Sequence, residues 1–157
     1  MPHVTVTRTI DAPVSEVWAS WDDYANIDKF NPNLNRSFLI GENGATGLGA
    51  TRQCDLEDGK NFIQERIVEY VPEQKVTVDI YNGTLPLKSA KAEVQMKPVG
   101  PNRTELNFTM HFVPKMGLLG LLMVPMMKPQ FKKLLGKLVD GNRAYIESGV
   151  VIARQAA

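Results

Sequence analysis

Arg52 and Glu65 are the two residues of this chain whose types and spacing make a plausible chemical pair. The dipeptide Asp58-Gly59 marks a hairpin turn. Centring the turn there sets Arg52 opposite Glu65, on the same strand faces as Cys54, Leu56, Ile63 and Ile67. That side is apolar and therefore expected to face inward. An inward guanidinium–carboxylate pair would anchor a carboxylate, hydroxyl or carbonyl on an otherwise apolar ligand. The alternative is a cross-strand pair at the sheet rim, half in water and worth under about 1 kcal/mol. A slip of one residue would exchange the two readings, and both stand open.

The other chemically capable side chains read more plainly. Cys54 is the single cysteine, with no histidine near it in sequence, and is expected to behave as a small buried hydrophobe. His111 falls on the polar face of its strand, and with His3 and Cys54 it makes no metal-ligand spacing. Motifs for a nucleophile elbow, a phosphate-binding glycine loop or a zinc protease are missing. No metal and no cofactor are expected, and no catalytic residue is assigned.

Elements that position these residues follow from periodicity. Val4 to Ile10 alternates with threonines as a strand. Asp11 and Pro13 supply a capping side chain and a first-turn proline for a short helix carrying Val14, Val17, Trp18 and Trp21; Asn31-Pro32 ends the helical region. Up to about Val113, turn signals divide five or six antiparallel strands. Val76, Val78 and Ile80 share one face, as do Ala90, Ala92, Val94 and Met96, and Leu106, Phe108, Met110 and Phe112. Lys75, Thr77, Asp79, Glu93 and His111 occupy the other, wet face.

Phe131, Leu134, Leu135, Leu138, Tyr145 and Ile146 then repeat at helical intervals, as a long amphipathic helix laid over the covered face. Ahead of them, residues 116–127 are apolar on all sides and include Leu119; the segment Gly117 to Pro129, interrupted by Gly117, Gly120, Pro125 and Pro129, is expected to act as a mobile gate. Met110, Met116, Met123, Met126 and Met127 are five of the seven methionines, read as lining a cavity, with gap-filling core as the alternative. Lys128, Lys132, Lys133 and Lys137 are read as a solvated helix face interrupted by Asp140 and Glu147, the other possibility being contact with an anionic membrane during ligand exchange.

At 157 residues the chain fits one domain, 1–157, able to bury a core without staples. Eighteen basic against seventeen acidic residues leave too little positive charge for nucleic acid. The N-terminus lacks a signal-peptide pattern, and residues 116–127 are too few to span a bilayer, so a cytoplasmic location without stable membrane insertion is expected. Oligomeric state is not legible.

The order strand, short helix pair, antiparallel strands and long terminal helix resembles the helix-grip fold of the START and pollen-allergen superfamily, often called SRPBCC. The polyketide cyclase/dehydrase-like branch is the nearest likeness. The residues that carry it are Ile10 to Trp18 (IDAPVSEVW), Asp23-Tyr24, Phe30-Asn31-Pro32, Gly47 to Arg52 (GLGATR), Glu65 to Glu69 (ERIVE) and the Gly/Leu-rich start of the last helix. The resemblance implies an α+β fold whose curved sheet of six or seven strands grips the C-terminal helix, with a cavity between them for a lipid, steroid or polyketide-like molecule. Phe30 stands where the family often has tryptophan, leaving a smaller aromatic at the cavity mouth.

The expected lining is therefore Trp18 and Phe30 from the first helical region; Arg52, Cys54, Ile63, Glu65, Ile67, Val78 and Ile80 from the middle strands; Ala92, Val94, Leu106, Phe108 and Met110 from the last strands; and Leu119, Met123, Met127, Phe131 and Leu135 from the helix. Two functional classes fit that lining. One is a binder of small hydrophobic molecules; the other is a polyketide cyclase or dehydratase-like enzyme using the same cavity.

Overall fold

A computed structural model describes residues 1–152. β1 (His3–Ile10) leads into α1 (Val14–Asp22) and a 3-10 segment (Tyr24–Lys29). Six strands follow: β2 (Leu34–Ile40), β3 (Thr51–Leu56), β4 (Phe62–Val71), β5 (Lys75–Gly83), β6 (Leu87–Gly100) and β7 (Arg103–Pro114). The chain then forms α2 (Gly117–Ser148). The strands make one antiparallel sheet in the order β1-β7-β6-β5-β4-β3-β2. This is the helix-grip α+β architecture: consecutive hairpins build β2 to β7, and β1 returns to the edge of β7.

Irregularities in the β4–β5 ladder, between Gln64 and Glu65 and again between Ile67 and Glu69, bend and twist the strands where the sheet must curve. The alternation read from sequence holds on the covered face, where Val76, Val78, Ala90, Ala92, Val94, Met96, Leu106, Phe108, Met110 and Phe112 are all buried. Thr77 departs from it. Expected on the wet face, it is buried, because its register partners Glu69 and Glu93 both converge on the Lys75 ammonium at 3.1 and 3.4 Å. The β1–β7 ladder brings His3 opposite His111, with ring centroids 5.5 Å apart.

Asp11 does not cap α1. Pro13 itself holds the N-cap position, without a side-chain hydrogen bond, and the Asp11 carboxylate instead accepts from Arg103 Nε at 3.2 Å. The inner face of α1 buries Val17, Trp18, Ser20 and Trp21. Trp21 Nε1 donates to Asn142 Oδ1 of α2 at 3.1 Å, and Asn142 Nδ2 donates to Ser20 Oγ at 2.9 Å. Asn142 is completely buried, so this short chain satisfies its amide while tying the two helices together.

α2 runs unbroken through Pro125 and Pro129. Its inward stripe is Gly120, Val124, Met127, Phe131, Leu135, Leu138 and Asn142, each three or four residues after the last. Leu119 and Met123 each fall one position before a member of that stripe, turned away by about 100°. They are 64% and 50% exposed. Among the described residues no helix is long and apolar enough to cross a membrane.

Candidate ligand cavity

Between the covered face of the sheet, the 3-10 segment and the middle of α2 lies a cavity of about 320 Å³. Its floor is apolar: Val76, Val78 and Ile80 of β5, Ala92 and Val94 of β6, and Phe108 and Met110 of β7. Small side chains at Ala92 and Cys54 leave the space, and Phe131, Leu134, Leu135 and Leu138 close it from the helix side. Exposed Glu57 and Asp58 of the β3–β4 turn, with half-buried Leu85, mark its outer rim.

One corner is polar. The β3–β4 register pairs Arg52 with Glu65, and both are 6% exposed, which places the pair inside the protein rather than at the rim. Arg52 Nε donates to Glu65 Oε2 at 2.6 Å, and Nη2 approaches the same oxygen at 2.6 Å. Nη1 donates to the Tyr24 carbonyl at 2.8 Å, and the guanidinium carbon stands 4.0 Å from the centroid of the Tyr24 ring. A buried guanidinium is thus neutralised, hydrogen-bonded and stacked at once. Cys54 Sγ completes the corner, 3.9 Å from Glu65 Oε2.

These contacts fix protonation. Burial draws the Arg52 pKa down, but the charge of Glu65, with Cys54, Tyr24 and the hydrogen bond to Glu65, outweighs it and the net shift is upward. Arg52 is a permanent cation. Burial first, and the neighbouring Glu65 charge second, push the Cys54 thiol up, so it is neither thiolate nor nucleophile at neutral pH. Tyr24 is raised chiefly by burial, against the lowering effect of Arg52, and keeps its proton. Its hydroxyl is buried without a hydrogen-bond partner among the described residues.

Of the residues singled out from sequence, twelve stand in the cavity wall: Arg52, Cys54, Ile63, Glu65, Val78, Ile80, Ala92, Val94, Phe108, Met110, Phe131 and Leu135. Seven do not. Trp18 is buried behind the wall in an edge contact with Tyr70, ring centroids 5.2 Å apart, and Trp21, one turn on, takes the lining position. Phe30 is sealed between Trp21 and Tyr145, at 5.2 and 5.6 Å, and is no mouth residue. Ile67 pairs through its amide with Ala50, beyond the polar corner, and Leu106 is fully buried between Arg8 and Met96 in the ladder.

Leu119 and Met123 point to the outside of α2, as described, and Met127 packs against the core without reaching the cavity. The methionine cluster is therefore not a lining: Met116 and Met126 are also exposed, and Met110 alone of the five borders the space. Tyr24 and Ile27 of the 3-10 segment and Leu34 at the start of β2 are wall residues that sequence reading missed; for the first two, nothing in a 3-10 segment's short pattern shows which side meets the sheet.

The sequence model of the family described as "Polyketide cyclase / dehydrase and lipid transport" matches residues 1–147. No curated protein matches in sequence. Among solved structures, a START superfamily protein from Mycobacterium smegmatis superposes with a TM-score of 0.77 at 16% identity, covering 92% of this chain and 97% of that one. The ZhuI aromatase/cyclase from Streptomyces sp. R1128 gives 0.68 at 18% identity, with 94% and 98% covered. Major latex-like protein 151 from Panax ginseng gives 0.73 at 13% identity, with 93% and 97% covered. At such identities the structural likenesses speak for the fold; it is the family match across nearly all the chain, joined to the gripped helix and the cavity beneath it, that makes this protein a member of the polyketide cyclase/dehydrase and lipid-transport family.

Proposed function

We propose that this protein binds a small, largely apolar molecule bearing one oxygen function, held between sheet and helix with that oxygen at the Arg52–Glu65–Tyr24 corner. The observation that carries the reading is a mainly apolar cavity of about 320 Å³ with a buried ion pair, Arg52–Glu65, in its wall, Asn31, Asn33 and the rim carboxylates Glu57 and Asp58 being further polar wall residues. Such a volume is at the small end of the range for ligand sites, and suits one compact ring system or a short acyl chain. The Tyr24 hydroxyl lends support: a protonated, unpartnered buried donor gains a hydrogen bond from a ligand carbonyl, and leaving it unpaired costs about 1–3 kcal/mol.

The family also contains cyclases, and the fold likeness to an aromatase/cyclase keeps an enzymatic reading in view. Binding is favoured because the polar groups here are engaged with one another. Arg52 is a fixed cation, Cys54 a neutral thiol, and Glu65 is held by two nitrogens of Arg52, so this buried corner offers no free base, and the other carboxylates of the described wall, Glu57 and Asp58, stand at the solvated rim.

A panel of a fluorescent short-chain fatty acid, a flat polycyclic ketone and the corresponding hydrocarbon tests the proposal. The ketone is expected to bind more tightly than the hydrocarbon. At 100 times its dissociation constant it adds about 2.7 kcal/mol of stability, a rise readily seen in Tm. A panel that neither binds nor stabilises would refute the reading.

A further inference from the structure

The first three turns of α2 display apolar side chains to solvent. Met116, Leu118, Leu119, Leu122, Met123 and Met126 are between 50% and 82% exposed. Isolated exposed leucines are ordinary, but a contiguous set on one helix marks an interaction surface. The set is not distributed round the helix at random. At about 100° per residue, Leu118, Leu119, Leu122 and Met126 fall on the side opposite Leu135 and Leu138, and Lys133 and Lys137 continue that same side toward the C-terminus.

Charge on the chain is segregated to match. From Leu106 to Val139 there is no aspartate or glutamate, while Lys115, Lys128, Lys132, Lys133 and Lys137 all lie there and are all exposed. None of the ion pairs among the described residues includes these five. The rest of the chain carries thirteen basic against seventeen acidic residues, so a nearly neutral protein concentrates positive charge, free of acids, in this one segment, with Lys133 and Lys137 on the apolar outer face. Asp140, the nearest acid to follow, is occupied by Arg8 Nε at 2.8 Å.

We propose that the outer face of α2 docks on an anionic lipid surface. The leucines and methionines of residues 116–126 enter the acyl boundary, and the lysines that follow rest among the headgroup phosphates. Apolar insertion together with a polybasic set is the combination that holds an interfacial helix reversibly. A second copy of the chain is a poorer occupant of the same face: a parallel pairing would press like lysines together, and an antiparallel one centred on residues 116–126 would leave the lysines without a counter-charge. The inference does not depend on what the cavity binds. It does place Phe131 and Leu134 of the cavity wall about one and a half and a little over two turns beyond the docked segment, where an apolar molecule would leave or join the bilayer.

Flotation with phosphatidylcholine vesicles, with and without phosphatidylserine, is the test. The protein is expected to float with phosphatidylserine vesicles, weakly or not at all with phosphatidylcholine alone, and less as salt rises. The double variant Leu118→Ser/Leu122→Ser should reduce partitioning at least tenfold. Lys133→Glu/Lys137→Glu should do likewise, at about fivefold for each charge lost. Leu48→Ser, equally exposed but far from α2 in sequence, should change nothing. All five side chains are exposed, and circular dichroism verifies that the variants fold. Absence of binding, binding equal on both vesicle types, or binding unmoved by the α2 variants overturns the proposal. So does a dimer in sedimentation that Leu118→Ser/Leu122→Ser dissolves while vesicles remain unbound.

Discussion

Arg52→Leu is expected to lower the unfolding free energy by about 3–5 kcal/mol, because it strands a buried carboxylate without its counter-ion. In the wild type Glu65 Oε2 is met by two nitrogens of Arg52, with the Cys54 thiol at 3.9 Å. The same substitution orphans the Tyr24 carbonyl and removes the cation from the Tyr24 ring. Adding Glu65→Leu should restore much of the loss, since an apolar pair in an apolar wall needs no counter-ion. The recovery is incomplete by about 1–3 kcal/mol for the carbonyl left behind. Urea denaturation of the four proteins gives the coupling energy. A value below about 0.5 kcal/mol would mean that the two side chains act independently, contrary to the geometry.

Gly141→Ala should also destabilise by several kcal/mol, whereas Gly136→Ala should stabilise by up to about 1 kcal/mol. Both glycines lie in α2, where alanine is the better helix former. They differ in what lies outside the helix. A Cβ at Gly141 would sit 2.0 Å from the Phe30 carbonyl oxygen and 3.2 Å from its carbon, backbone against backbone, with Pro32 Cδ at 3.4 Å. Neither partner is a flexible side-chain end, so α2 must lift from the 3-10 segment, straining the adjacent Asn142 bonds to Trp21 and Ser20. At Gly136 the nearest atom is Arg8 Nη2 at 3.8 Å, an ordinary contact. Thermal unfolding of the two variants should move in opposite directions; equal shifts would show that close helix approach is not what Gly141 serves.

That pair of glycines shows where sequence reading stops. Within the helical pattern they are indistinguishable, and only the path of residues 30–32 separates them. Strand alternation and the Asp58-Gly59 turn, by contrast, were enough to set Arg52 opposite Glu65, because a hairpin's register follows from its turn. The alternation put the two on one side but left an inward pair and a rim pair both open, and the depth of burial that decides between them was not legible. That depends on the 3-10 segment, which brings Tyr24 over the guanidinium. Periodicity in α1 likewise marked Trp18 and Trp21 as inward without saying that Trp18 meets Tyr70 and Trp21 the cavity. Leu119, Met123 and Met127 were read into the cavity wall for a related reason. A segment apolar on every side carries no amphipathic signal, so nothing in it told which flank the sheet would cover and which would be left exposed.

The exposed apolar face of α2 makes one measurement especially direct for the central claim, because hydrophobic probes can adhere there as well as enter the cavity. The dissociation constant of a fluorescent short-chain fatty acid, below its micellar concentration and without vesicles, is to be compared in the wild type, Ala92→Phe and Leu122→Ser. Ala92 stands in the wall of the 320 Å³ cavity, and a phenyl ring there takes up space the ligand needs. Leu122 is 76% exposed and outside it. Binding in the cavity predicts at least tenfold weaker affinity for Ala92→Phe and wild-type affinity for Leu122→Ser. Unchanged affinity in a folded Ala92→Phe, with loss in Leu122→Ser, would contradict the account and move the hydrophobic site to the surface of the helix.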